Sequence, residues 1–174
     1  NYLAAASIDD FEEKIKEFDE ATLMTPDLSG DEDQGISLEE NLYFDKDEID
    51  GLCKELSISQ NNLFLATTAF VLSKFAYNKN LLIATITDGR FNADLENTLA
   101  MIEKTLPLSL NLNSELTISE LFEYVNKECE DTLAHSSYPL TKISDEYGVF
   151  PEFSYEFRDK PASNIAESLN EHLK

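Results

Sequence analysis

The chain has no tryptophan, two cysteines, two histidines and five glycines in 174 residues. Each scarcity removes a class of function. Cys53 and Cys129 stand far apart with no Cys-x-x-Cys. Beside only His135 and His172 they offer no zinc-ligand cluster. They fall on apolar helix faces, which marks core thiols in a reducing compartment rather than nucleophiles. No glycine-rich loop is present to cradle a phosphate. Ser73, Ser136 and Ser137 lack a Gly-x-Ser-x-Gly setting, so a serine hydrolase is not indicated. No apolar run approaches the length that spans a bilayer, and no signal-like amino terminus is seen. Cations are also few. Thirteen basic residues against 35 acidic ones leave a net charge of −22. Such a field repels phosphate backbones and anionic lipid headgroups, so nucleic acid and membrane are both poor partners. A cytoplasmic, acid-solubilised globular protein is the expectation, and 42% hydrophobic content is enough for a core.

What is present has a readable order. Ile8 to Phe18 places Phe11, Ile15 and Phe18 at helical spacing. The stretch around Pro26, Gly30 and Gly35 then reads as an exposed acidic linker. The acids Asp31 to Asp33 lack the alternating ligands of a calcium loop. Ile36 to Phe44 suggests a strand, although its alternation is broken. Asp45 with Glu48 fits a capping box, opening a helix with Ile49, Leu52, Cys53 and Leu56 on one face. A second helix starts at Ser59. Leu63, Leu65, Ala66, Ala69, Phe70, Leu72 and Phe75 cover most of its circumference, which predicts burial all round. The run LLIATIT, Leu81 to Thr87, suits an inner strand covered on both faces. Helix, short turn and buried strand imply helices layered on a sheet.

A polar insert follows, carrying Asp88, Gly89 and Arg90. Gly89 permits a tight turn. Arg90 either pins the loop through Asp94 or Glu96, the favoured reading, or reaches a substrate or a neighbouring lobe. Leu106, Leu108, Leu110 and Leu112 alternate as a half-buried strand, and Pro107, which has no ladder donor, puts it at a sheet edge or makes it irregular there. Thr117 with Glu120 forms another capping box, and Ile118, Leu121, Phe122, Val125, Cys129 and Leu133 point inward along that helix. Pro139 opens a short helix that Gly148 ends. Phe153, Tyr155 and Phe157 alternate as a last strand, and the tail has one weak helical stretch. His135, at a helix end, reads as bonding a backbone carbonyl rather than as a general base, and His172 in the tail has no role.

The pieces and their residues, in this order, resemble the carboxy-terminal half of condensation domains of nonribosomal peptide synthetases. NNLFLATTAFVLSKFAYNKNLLIATITDGR is similar to the family's long helix, short turn and strand ending in Gly-Arg. NTLAMIEKTLPLSL resembles the Ile-Gly-x-Phe-Val-Asn-Thr-x-Pro-Leu segment, keeping Thr105, Pro107 and Leu108. LTISELFEYVNKECEDTLAHSSYPLTKI resembles the helix leading into His-Gln-Asp-Tyr-Pro-Phe-Glu, here His135, Ser136, Ser137, Tyr138, Pro139, Leu140 and Thr141. FPEFSYEF stands where a strand follows. The likeness runs from about Leu38 to Phe157. Three departures stand out: Glu103-Lys104 for Val-Asn, Ser136-Ser137 for Gln-Asp, and a shortened DEYGVFP before the last strand.

The resemblance implies one α/β lobe of a two-lobe domain. Its mixed sheet would be covered by helices in a chloramphenicol acetyltransferase-like two-layer sandwich. An inter-lobe helix and acidic linker would occupy residues 1–34, the lobe 35–158 and a tail 159–174. The full domain joins a carrier-bound acyl or peptidyl thioester to an aminoacyl amine, and the carriers' phosphopantetheine arms enter a tunnel between the lobes. Implied partners are the amino-terminal lobe, donor and acceptor carrier domains, and an adenylation domain in the same chain. The family's catalytic His-His-x-x-x-Asp-Gly belongs to the other lobe and is absent here, so the chain should be inactive alone. Its opening looks like a cut through a longer protein, and the lobe's last elements look missing after Phe157. Asp88, Gly89, Arg90, Thr105 and Pro107 become candidates for the channel wall or the inter-lobe contact, with His135, Tyr138 and Pro139 structural. Two rivals stand beside this reading. One is a degenerate lobe that recruits a carrier or oxygenase, its docking patch drawing on Lys74, Lys79 and Lys104. The other is a free-standing acyltransferase of the same superfamily.

Overall fold

The computed structural model describes residues 12–15, 18, 38–87, 89, 98, 100–112, 115–136, 140–148 and 150–158. The elements in order are α1 (Lys46–Leu56), α2 (Gln60–Phe75), β1 (Asn80–Thr87), β2 (Lys104–Asn111), α3 (Ile118–Ala134), α4 (Leu140–Tyr147) and β3 (Phe153–Glu156).

The strands form one mixed sheet in the order β2-β1-β3. β1 pairs antiparallel with β2, Ile83 opposite Leu108, and parallel with β3, Ile83 opposite Phe153. The apolar run at Leu81 is thus the central strand, and its residues Leu81 to Ala84 are buried. Period-two alternation sends Leu81 and Ile83 to one face and Leu82 and Ala84 to the other. On the first face they join Leu108 and Leu110 of β2, Leu65, Ala66 and Ala69 of α2, and Phe122 and Val125 of α3 in one core. β2 is an edge strand among the described residues, as Pro107 predicts. It is more buried than its alternation suggests: Leu106 through Leu110 are all covered, Pro107 and Ser109 included. The sheet is therefore shielded on both faces here, with α4 packed against β2.

Local chemistry sets the helix ends. The Asp45 carboxylate accepts from the N–H groups of Asp47 (2.9 Å) and Glu48 (3.2 Å), so the carboxylate half of the expected box forms. The Ser59 hydroxyl accepts from Asn62 N–H at 3.1 Å. The box at Thr117 is complete: Glu120 N–H donates to Thr117 Oγ1 (3.3 Å) and Thr117 N–H to Glu120 Oε2 (2.8 Å). α4 ends at Gly148, whose φ of +67° suits its left-handed stop. Polar ties then fix helix to helix and helix to sheet. Buried Asn62 donates to Asn126 Oδ1 (2.7 Å), and the Tyr124 hydroxyl accepts from Asn111 N–H (2.8 Å).

Three expectations need correction. The segment 38–45 has no regular structure, and Leu38, Leu42, Tyr43 and Phe44 are exposed; broken alternation gives it no apolar face to dock. α2 is not buried all round, because Phe70, Val71 and Phe75 face outward. Apolar residues on every side do not say which sides find partners. On α3, Ile118 and Leu133 are exposed while Glu128 and Thr132 are buried, a rotation the charged residue concealed. Of the helix expected from Ile8 to Phe18, the described part is a helical turn at 12–15 with Ile15 and Phe18 buried. The expected linker and tail helix lie outside the described residues.

The same turn explains Glu128. Lys14 Nζ reaches its carboxylate directly, with Asp131 Oδ2 3.7 Å away. Lys14→Met should leave a mostly buried carboxylate without its cation. The expected loss is about 2 kcal/mol, between the worth of an exposed pair and that of a fully buried one. Urea unfolding of both proteins checks it, and an unchanged midpoint would refute the tie.

Candidate functional site

Beyond the carboxyl end of β1 the sheet and helices enclose a cavity of about 450 Å³. Thr85, Ile86 and Thr87 form its sheet wall, Leu65 of α2 and Leu133 of α3 its apolar sides, and Glu103, Glu156 and Arg158 its charged part. The site follows from the fold: ligands in open α/β sheets collect outside the carboxyl ends of strands.

Its polar groups are held in fixed states. The Arg158 guanidinium donates to both Glu156 oxygens, with Nη2 to Oε2 at 2.9 Å. That hydrogen-bonded fork, then the Glu156 charge, holds the guanidinium protonated more firmly than usual, with Glu103 adding a smaller share. Tyr155 donates from its hydroxyl to the Asn61 carbonyl at 3.1 Å. Burial raises the Tyr155 phenol well above its ordinary range, with Cys129 adding to the rise. Burial likewise pushes the Cys129 thiol up to about 12, helped by Glu128 and Glu130. Phenol and thiol are both neutral at physiological pH, so neither is a ready nucleophile or base. The cavity can line, exclude water and pair charge. Among the described residues no His/Cys/Asp/Glu group could hold a metal ion, and no helix is long and apolar enough to cross a membrane.

The structure sorts the sequence candidates. Gly89 is buried with φ +69°, and a Cβ on it would fall 1.7 Å from the Ile102 carbonyl oxygen. This close approach sets the loop against the residue preceding Glu103, at the cavity's edge. Thr105 pairs with Ile86 and Pro107 with Ala84, and neither is among the residues that line the cavity. His135 caps α3, its Nδ1 donating to the Asp131 carbonyl at 2.8 Å. One residue on, the Ser136 carbonyl accepts from Lys104 Nζ at 3.1 Å, so two departures from the family pattern meet. Asp88, Arg90, Tyr138 and Pro139 lie outside the described residues. Sequence reading did not select Tyr155, Glu156 and Arg158 for the site. The usable signal was Glu156 two residues before Arg158, a spacing that puts both on one side of an extended chain.

A family model of the condensation domain matches residues 18–151. The chain belongs to the condensation-domain family. It is 29% identical over 101 residues, 56% of its length, to the hydroxamate-type ferrichrome siderophore peptide synthetase of Schizosaccharomyces pombe. It is 27% identical over 92 residues, 53% of its length, to tyrocidine synthase 3 of Brevibacillus parabrevis. The chain spans only 2% and 1% of those two synthetases. The fold is shared with the first condensation domain of the calcium-dependent antibiotic synthetase in complex with a substrate analogue. There the TM-score is 0.56 at 18% identity, covering 65% of this chain and 26% of that one. A four-domain nonribosomal peptide synthetase bound to AMP and glycine gives 0.60 at 18% identity, covering 71% and 10%. The α/β architecture of helices on a mixed sheet is therefore that of condensation domains.

Two outcomes check this geometry. Gly89→Ala meets both a left-handed φ and the Ile102 carbonyl, and should destabilise the chain by about 2 kcal/mol or more in chemical denaturation. A loss below about 0.5 kcal/mol would mean the loop does not approach that closely. Cys129 should react with a disulfide reagent at pH 8 about a thousandfold more slowly than an ordinary thiol, because so little thiolate is present. The raised value means the folded chain keeps a proton that the unfolded chain gives up first. The stability tied to this thiol is complete below the ordinary thiol range and is lost as pH rises towards 12.

Proposed function

We propose that this chain is the carboxy-terminal lobe of a condensation domain and forms one wall of the channel in which an amide bond is made. The observation that carries the reading is the strand-end cavity, set in a condensation-domain fold whose sequence has no His-His-x-x-x-Asp-Gly. In the reaction an amine nitrogen adds to a thioester carbonyl, the thiolate leaves, and the nitrogen loses a proton. Such a step gains most from holding the two reactants in line and keeping water out. Leu65, Ile86 and Leu133 suit the second task. The Gly89–Ile102 approach, with Asp88 and Arg90 beside it, would shape the channel edge, and Thr105 and Pro107 would brace it from β2. The proton-transfer group would come from the amino-terminal lobe. Donor and acceptor carrier domains would bring their substrates on phosphopantetheine arms, and an adenylation domain of the same synthetase would load them. Cytoplasmic location is part of this proposal.

A second reading has a specific observation in its favour. The departures at Glu103-Lys104 and Ser136-Ser137 fit a lobe kept for recruitment rather than synthesis, and Lys104 has been drawn into capping α3. One assay separates the two. The chain alone, given acyl- and aminoacyl-pantetheine thioesters, should form no amide. The same chain joined to its own upstream lobe should form it, with mass spectrometry reading the product. Amide formed by the chain alone would overturn the lobe assignment. No amide from the joined lobes, with both folded and carriers still bound, would decide for recruitment.

A further inference from the structure

At the Asn80 end of β1, opposite the strand-end cavity along the sheet, α1, α2 and the start of α3 leave a groove of about 730 Å³. Its floor is Leu63, Leu112 and Phe122, all buried. Its rim is apolar yet open to water: Leu52 is 40%, Phe70 47% and Ile118 70% exposed. Two charged residues line it, Lys74 and Lys79, and no carboxylate does among the described residues. Lys74 Nζ lies 4.8 Å from the centroid of the Phe70 ring, so the ammonium stays beside the apolar wall. In a chain of net charge −22 the described lining of this apolar trough carries two lysines and no acid.

We propose that the groove is a docking site for an amphipathic helix of a partner polypeptide, with acidic residues flanking the helix's apolar face. Three observations select that occupant. Most of the lining comes from helices, α1, α2 and the start of α3, which favours a helix laid in a groove over an added strand. The rim stands out into solvent instead of closing over the floor. A small amphipathic ligand would keep much of its surface wet there, whereas a helix covers floor and rim together. Finally, both lysines lie towards α2, Lys74 in its last turn and Lys79 just before β1, while Thr117, Ile118 and Leu121 make the α3 side. The partner's carboxylates should therefore face α2. At physiological salt charges interact over about 8 Å, so the lysines act locally while the chain's distant acids are screened. Docking here is independent of what the strand-end cavity does.

The test uses the whole chain at physiological salt and labelled, side-chain-stapled helical peptides of about four turns. One peptide has leucines spaced i, i+3, i+4 and i+7 with flanking glutamates, and the other has glutamines in place of the glutamates. Fluorescence anisotropy should show the glutamate peptide binding at least tenfold more tightly. The pair Lys74→Gln and Lys79→Gln should erase that difference. Ile118→Ser, at an exposed position, should weaken both peptides, with thermal melts confirming that each variant is folded. Equal binding of the two peptides, or binding of neither, overturns the proposal. So does sedimentation showing a dimer that Ile118→Ser abolishes, which would make a second copy the occupant. Decanoate displacing the peptide while itself binding more tightly would assign the groove to small amphipathic anions and also overturn it.

Discussion

β1 has no polar face to offer water, and the fold is arranged around that fact. Leu81 and Ile83 go to the helices and Leu82 and Ala84 to the other side, each buried. A large aliphatic side chain returned to water would lose about 1.5–3 kcal/mol, so neither face can be left open. The strand also needs partners on both edges for its backbone groups. β2 supplies one by antiparallel pairing and β3 the other in parallel. A parallel partner requires a long connection. The chain spends β2, α3 and α4 on it before Phe153 arrives beside Ile83. Placing a proline in β2 is compatible with this plan because that strand lies at an edge.

Once the sheet is covered, its ends are where polar chemistry remains possible. At the carboxyl end of β1 Arg158 is paired with Glu156, and burial keeps the Tyr155 phenol and the Cys129 thiol neutral. Groups so committed make a surface of fixed charge and shape rather than a reaction centre. At the other end of the strand the groove has the opposite character, apolar and basic. The two ends of one strand thus present two surfaces with different chemistry, separated by roughly eight residues of extended chain, or about 26 Å.

Much of this was legible where one residue's chemistry decides an outcome. LLIATIT states a doubly covered strand, Pro107 an edge, Thr117 with Glu120 a helix start, Gly148 a stop and His135 a carbonyl-bound cap. Illegible features depend on which neighbour arrives. α2 is apolar on every side, and periodicity has no means of saying that Phe70 and Phe75 stay outside while Leu65 and Ala66 go in. Glu128 reads as a solvent charge until Lys14, more than a hundred positions earlier, is placed against it. Ile36 to Phe44 has strand-like composition but breaks the alternation that would give it a face to bury. The cavity's lining is drawn from Leu65, Glu103, Cys129 and Tyr155, on separate elements, so no local pattern announces it. Thr105 and Pro107 keep family residues, yet neither is among the residues that line it.

The departures from the family pattern have a structural logic of their own. Lys104 leaves β2 on a long flexible stem and donates to the carbonyl of Ser136, just past the end of α3. A helix carboxyl end has unsatisfied carbonyls and a partial negative charge, and a lysine ammonium answers both. Because the acceptor is a main-chain oxygen, the side chain at position 136 is free to vary once the lysine is in place. One residue of each divergent pair thus takes part in a single bond, which uses no side chain at position 136. Divergence at these positions leaves β2 tied to the end of α3.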